Sequence, residues 1–354
     1  YYASPDGETT FKTSMTGFVD NTKSQTNDMA SEQPLPIQEL LARMQLDAQL
    51  WGDLLHVTGG ALEIKKCNYY IMKWKFKASG IPELDSDVQR ILHLENGDRT
   101  GSVTLTNDAI TIAHKTLGCW KSAKRDQIKQ IDVLKTKSND YARTIMTSPV
   151  TRRDNWTAYH AIYLPKMTFV LPTSYIPAAK LEKIEQKAIG ATLCKGGFVS
   201  SFPRAVAFGP HKYGGLAMRS LVVEQLVEQA KIIVKHLRCA GENHEMLRIM
   251  LAWAQSETGM GFDLMERPEA KVPHLECTWL ESIRTGLARI DARIECTDES
   301  VFKARRQDNL HIMDQICTSG WFTKPQIRRI NACRLYLKVT LLSDITTACG
   351  RKLH

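Results

Sequence analysis

The sequence is short of several things that would have decided its class at once. It has no uninterrupted apolar run near the roughly 20 residues that a membrane-crossing helix needs, so no membrane partner is expected. Its nine cysteines lie far apart, with no CxxC pair and no Cys/His spacing of a zinc knuckle. That excludes a stapled secreted scaffold and a zinc finger, and the cysteines read as reduced thiols of an intracellular protein, in cytoplasm or nucleus. No signal peptide is recognisable, and in such a compartment the Asn155-Trp156-Thr157 sequon is accidental. No internal repeat or low-complexity tract is present, which sets aside a solenoid or a disordered tail. The chain opens on Tyr1-Tyr2 rather than Met and reads as a fragment that begins inside a domain.

What is present is ordinary in amount and informative in order. The chain has 354 residues, 43% of them hydrophobic and 24% charged, enough for two or three domains with a sizeable core. The net charge of +9, with a pI near 9.0, favours an anionic partner, nucleic acid being the usual one.

Near the start, Thr16-Gly17-Phe18-Val19-Asp20-Asn21-Thr22 reads as a β-hairpin, with Met15 to Val19 running up one strand and Asp20-Asn21 turning. A carboxylate at a hairpin tip is rigid and exposed, which suits metal binding; taken alone, the same residues also make an ordinary Asx turn. Residues 23–35 read as a polar loop. Pro36 then opens a helix whose Ile37, Leu40, Leu41, Met44, Ala48, Trp51 and Leu55 form an apolar stripe, stopped by Gly59-Gly60 and expected to pack under a sheet. Leu62 and Ile64 alternate with charge as a short strand. Asn68 to Phe76 alternates as a longer one, with Tyr70, Met72, Trp74 and Phe76 on one face and Tyr69, Ile71, Lys73 and Lys75 on the other. Such a basic-aromatic strand can pack against a nucleic-acid backbone or carry a merely solvated lysine face.

After a turn-rich spacer at 77–87, Val88 to Leu94 and Gly101 to Thr106 are expected as a hairpin around Asn96-Gly97-Asp98, and Ile110 with Ile112 as a further short strand. From Lys121 the periodicity predicts helices: one marked by Ile128, Ile131, Leu134 and Ile145, and one by Trp156, Tyr159, Ile162 and Tyr163, closed by Pro165. Others are expected over 176–194, 216–238, 242–255, 277–293, 301–317 and 324–342. Phe202 to Pro210 reads as an irregular connection, and the Gly- and Pro-containing residues 256–276 read as a linker. In the last helix Arg328, Arg329, Arg334 and Lys338 could face phosphate or simply be solvated.

The order of acidic hairpin, amphipathic helix, Gly-rich lysine segment, aromatic strand and then helices resembles the later palm and the thumb of a reverse transcriptase of the retrotransposon type, nearest to non-LTR (LINE-like) elements and related retrotransposon polymerases. Phe18-Val19-Asp20-Asn21 resembles the family's aromatic-x-Asp-Asp motif. Gly60-Ala61-Leu62-Glu63-Ile64-Lys65-Lys66-Cys67 resembles the next motif, and Tyr69 to Phe76 the strand that grips the primer terminus. Lys115-Thr116-Leu117-Gly118 resembles the segment that opens the following region, and Tyr163 to Phe169 and Gly214-Gly215-Leu216 resemble recurrent thumb segments.

The resemblance implies an α+β chain: a truncated palm with a small antiparallel sheet over 1–118, a helical thumb-like region over 119–255, and a helical C-terminal region of unassigned role over 277–354. It implies RNA-templated DNA synthesis in the intact enzyme, with an RNA template, a DNA primer, a deoxynucleotide and two Mg²⁺ (or Mn²⁺) ions, since hard ions take carboxylate oxygens. By the same resemblance Asp20 is the metal-ligating catalytic aspartate, Asn21 stands where a second aspartate belongs, and Lys66, with Lys65 as its alternative, lies near the nucleotide phosphates. Lys65, Tyr69, Tyr70, Lys73, Trp74 and Lys75 would contact nucleic acid. Asn21 is uncharged, and the family's upstream aspartate and fingers have no counterpart in residues 1–14. The chain is therefore expected to be inactive alone, its alternative role being a non-catalytic remnant that grips a template–primer duplex.

Overall fold

The structure is a computed structural model that describes residues 2–11, 15–18, 21–24, 36–63, 66–76, 82–85, 90–95, 99–295, 309–347 and 353, with the backbone alone described for 15–18, 21–24, 76 and 82. The fold is α+β in the segregated sense. Strands β1 (Tyr2–Ala3), β2 (Thr10–Phe11), β3 (Met15–Phe18), β4 (Asn21–Ser24), β5 (Lys73–Phe76), β6 (Pro82–Asp85), β7 (Ile91–Glu95), β8 (Ser102–Thr106), β9 (Ala113–Thr116) and β10 (Cys119–Ser122) all precede residue 123, interrupted by helix α1 (Ile37–Val57). From α2 (Ile128–Thr147) onward the regular structure is helical. The expected single small sheet is instead, among the described residues, five separate two-stranded antiparallel ladders, each pairing sequence neighbours.

The chain forms two compact units, one of Tyr1 with Lys12–Val133 and one of Tyr2–Phe11 with Leu134–His354. The division thus falls later than residue 118, and the first strand pair counts with the helical unit. In that unit the Trp253 indole N–H donates to the Ala3 carbonyl.

In the first unit α1 begins after Pro36 and ends in a Schellman turn. Gly59 takes φ +83°, the Gly60 N–H bonds the Leu55 carbonyl, and the Gly59 N–H bonds that of His56. The apolar stripe does what its spacing predicts. Ile37, Leu41 and Met44 pack with Leu105 on a small core of Tyr69, Ile71 and Leu92. Gln49 adds a polar tie to the edge of β7: its amide oxygen accepts from the Glu95 N–H and its NH₂ donates to the Glu95 carbonyl. An edge strand left with unpaired backbone groups would be open to foreign pairing, and this side chain occupies them.

Several local expectations are corrected. In the first hairpin Phe18 pairs with Asn21, so Asn21 belongs to the returning strand and not to the turn. Residues 61–63 form no strand and Lys66 sits in a 3₁₀ turn. The spacer contains β6, paired with β5. Ile110 is buried in a turn, and the strand begins at Ala113. There the two-residue link Leu117-Gly118, with φ +48° and +85°, makes a type I′-like hairpin between β9 and β10.

The second unit continues through α3 (Arg152–Ala158), a π-helical turn (Tyr159–Tyr163) and α4 (Leu164–Thr168) as one run. Pro165 does not close a helix here. The π turn, in which the Leu164 N–H reaches the Tyr159 carbonyl, widens the backbone just where a proline ring would collide with the preceding turn. After α5 (Ala178–Lys195) the expected irregular connection contains α6 (Arg204–Phe208) and a 3₁₀ turn at His211–Tyr213, and α7 (Leu221–Arg238) starts only after its Ser220 cap. Helices α8 (Glu242–Thr258), α9 (Thr278–Arg289), α10 (Ile312–Thr318) and α11 (Lys324–Leu337) complete the unit; residues 301–308 of one expected helix lie outside the described residues.

The segment 256–276 is not a linker. Met260, Leu264, Met265, Val272 and Leu275 are buried in one core with Leu280, Ile283 and Met313. Two buried guanidinium groups and one amide hold its backbone. Arg284 donates to the carbonyls of Leu264, Arg267 and Ala270. Arg334 donates to Ser256 and Glu257 at the end of α8, and to Asn331, Val339 and Thr340. Gln255 donates to the carbonyls of Met260 and Phe262. Arg334 is therefore a structural residue and not a phosphate ligand. Gly259, at φ +64°, leaves it room, since a Cβ there would lie 2.7 Å from the guanidinium carbon.

A buried carboxyl group caps α7. The Glu185 carboxylate accepts from the Leu221 N–H at 2.6 Å and from the Ser220 hydroxyl at 3.1 Å. Beside it the Tyr159 hydroxyl donates to the Arg219 carbonyl, and Ser138, whose hydroxyl donates to the Ile184 carbonyl, accepts from Tyr163. Burial pushes the Glu185 carboxyl from its ordinary 4.5 up to about 7, against the opposing pull of its two hydrogen bonds.

Two outcomes are expected. Replacing Arg334 by Met strips carbonyls at the end of α8 of their donor and should cost at least about 3 kcal/mol, read as a fall of about 6 °C or more in the melting of the helical unit; a shift below about 2 °C would show the clamp to be dispensable. For Glu185, the native state holds a proton between pH 4.5 and about 7 that the unfolded chain has released, so its contribution to stability is lost as pH rises through that window. Glu185→Gln should match the native chain near pH 5 and exceed it near pH 8 by up to the order of 3 kcal/mol. Parallel stability–pH curves for the two chains would refute this.

Candidate nucleic-acid interface

The residues expected to form the polymerase site divide into those the structure describes and those it does not. Asp20 and Lys65 lie outside the described residues. Asn21 begins β4, opposite Phe18. Lys66 is exposed and its N–H bonds the Glu63 carbonyl, closing the turn between α1 and the aromatic segment. The described strands of the hairpin contain no acid, and among the described residues no three His, Cys, Asp or Glu side chains converge on one point.

The aromatic segment is built differently from a simple two-faced strand. Residues 68–72 belong to no strand, and only Lys73–Phe76 is one. Tyr69 is buried against α1, its hydroxyl donating to the Arg90 carbonyl at 2.7 Å and its own carbonyl accepting from the Asp108 N–H. It is a core residue and offers nothing to a ligand. Tyr70 is half-buried: its hydroxyl donates to the Ile112 carbonyl at 2.8 Å and its ring meets that of His114 edge to face at 5.8 Å. His114 in turn bonds the Asp108 carboxylate at 2.8 Å.

Lys73, Trp74 and Lys75 are exposed, the indole by 59%. Across the ladder, however, Lys73 stands opposite Asp85 and Lys75 opposite Glu83, and the Lys75 ammonium lies 3.4 Å from the Asp85 carboxylate. Directly opposed residues of an antiparallel pair share a face, so two acids counter these two lysines. The pair is exposed and worth little in stability, yet it removes most of the positive field that a phosphate would sense.

More exposed lysine sits next door. Lys115, Lys121, Lys124 and Lys129 are all exposed on the β9–β10 hairpin and the start of α2. Trp120 is opposite Lys115 in the ladder, and the Lys129 ammonium lies over its ring at 5.3 Å. The Trp120 N–H donates to the buried Gln130 side chain, which fixes the hairpin on the helix. The nearest acids in sequence are Asp126, whose half-buried carboxylate accepts from the Ser122 hydroxyl and the Ile128 N–H, and Asp132. The signal was present in the spacing, since four lysines fall within fifteen residues, 115 to 129; it is concealed because Lys121 onward reads as the start of a helix. Tyr70 is what connects the two segments: it seats the residues that follow Lys66 against His114, which pairs with Lys121 in the ladder.

Comparison of the chain with protein-family models, with curated proteins and with solved structures finds no match.

Proposed function

We propose that this chain is the later palm and thumb portion of a reverse transcriptase of the retrotransposon type, and that what it does by itself is grip an RNA–DNA template–primer duplex without transferring nucleotides. The reading rests on the order of hairpin, helix, lysine turn and aromatic segment described above. The observation that carries the binding half is the docking of Tyr70 beside the lysine-bearing β9–β10 hairpin. In the same unit Lys66 and the four lysines are exposed, with an indole among the latter, a combination of cations and aromatic ring of the kind nucleic-acid grooves use. The non-catalytic half rests on Asn21, whose amide brings no charge to a metal where the family motif has an acid.

Binding of a labelled RNA–DNA hybrid should weaken steeply between about 50 and 200 mM salt, with log K falling by about 0.9 per log unit of salt for each phosphate contact. Combined replacement of Lys121, Lys124 and Lys129 by Ala should make that slope shallower by about two to three. A hybrid that fails to bind at low salt, or an unchanged slope in the triple variant, would sink the binding half. Primer extension on an RNA template with Mg²⁺ or Mn²⁺ should yield no product; Asp20-dependent synthesis by this chain would overturn the other half.

A further inference from the structure

We infer that the outward face of α11, with Trp321 just ahead of it, is a separate binding surface for single-stranded nucleic acid. Between Asp314 and Asp344 the sequence carries five basic residues and no acidic one. Arg334 is consumed inside the fold, but Lys324, Arg328, Arg329 and Lys338 are all exposed. The helix is seated on its own unit by the buried Ile327, Asn331 and Arg334, with Ile330 packed beside them. The acid nearest that stripe, Glu257, lies behind the helix, where its carbonyl accepts from Asn331 and Arg334. The outer face is thus cationic without a carboxylate of its own helix to offset it.

Two large rings are held out to solvent in the same short stretch, Trp321 at 85% and Tyr336 at 87% exposure. Packing does not explain them, and exposure of this much apolar ring is costly unless something covers it. At helical spacing Arg329, Ala332, Cys333 and Tyr336 share one face, opposite the buried stripe. Two planar groups, a guanidinium and a phenol, therefore stand two turns apart with only small side chains between. Two turns is about 10.5 Å, close to three base steps of about 3.4 Å, so the saddle between them has room for two stacked bases. Phosphates along one flank would meet Arg328 and Lys324, which are four residues apart on the same side of the helix. A duplex keeps its base faces covered and would leave both rings idle. Leu335 and Leu337 are also exposed on this helix, so the vesicle measurement below is the outcome that would point to a lipid surface instead. The reading does not depend on the duplex grip of the other unit, which uses different residues.

The test is the binding of a labelled oligothymidylate of about 12 nucleotides to the full chain, followed by anisotropy over a range of salt. Trp321→Ala and Tyr336→Ala should each weaken binding at least about fivefold with the salt slope unchanged, while Trp321→Phe and Tyr336→Phe retain most of it. Arg328→Ala with Arg329→Ala should make the slope shallower by about 1.4. Lys121→Ala with Lys124→Ala and Lys129→Ala should leave oligothymidylate binding on this surface in place, and the RNA–DNA hybrid measured in parallel lets either surface fail without the other. Because the rings are exposed, the alanine variants should melt as the parent does. Full affinity in both ring-to-alanine variants would overturn the inference. So would loss of affinity in the phenylalanine variants equal to that in alanine, or Trp321-dependent sedimentation with phosphatidylserine vesicles by a chain that ignores the oligonucleotide.

Discussion

The helical unit depends on guanidinium groups buried against backbone carbonyls. Arg284 and Arg334 are each almost fully removed from water, and their described partners are carbonyl and amide oxygens and a hydroxyl, not carboxylates. A buried cation is costly unless its donors are matched. The matching here is geometric: a planar fork with several N–H groups can collect oxygens from turns that no single helix or strand could bring together. Arg334 takes two of its oxygens from the end of α8, where the helix dipole leaves carbonyls unsatisfied and negative. Arg284 takes all three from the loop that follows. The two side chains thus convert a glycine- and proline-bearing stretch into a fixed strap under α9, α10 and α11.

Glu185 is the counterpart at the other end of a helix. Its carboxylate meets the positive start of α7 and satisfies a donor that the helix cannot use. Desolvation nevertheless outweighs those two hydrogen bonds, so the group resists ionisation near neutral pH. Where an arginine cannot discharge and must be fully bonded, a carboxyl can take up a proton, which makes this the softer of the two arrangements.

These arrangements explain which parts of the fold were legible in the sequence. Helix α1 was, because its stripe, its proline start and its glycine stop are all local signals, and the β7–β8 hairpin was for the same reason. The strap at 256–276 was not, because Gly261 and Pro268 advertise a loop while the bonds that order it come from residues far along the chain, Arg284 and Arg334. Pro165 was misjudged because a π turn ahead of it absorbs the ring, and nothing in the residue pattern announces a π turn. At the candidate site, Lys73 and Lys75 could be singled out from alternation, whereas the lysines of the β9–β10 hairpin could not, because Lys121 onward reads as the start of a helix. That Tyr69 is a core residue could not, because alternation separates two faces without saying which one a helix will cover.

The same limit applies to charge. A net charge of +9 says that an anion is welcome somewhere, and the lysine-aromatic strand is where a reader of the sequence would put it. The fold redistributes that expectation. Strand β6, hidden in what reads as a spacer, brings Glu83 and Asp85 opposite Lys75 and Lys73, so the most conspicuous basic strand is close to neutral as a surface. The β9–β10 hairpin and the start of α2 carry four exposed lysines, with Asp126 bonded to Ser122 and Ile128, and α11 has no acid at all. Cross-strand pairing and helix burial, far more than the local density of lysine and arginine, decide where this chain presents a cationic surface.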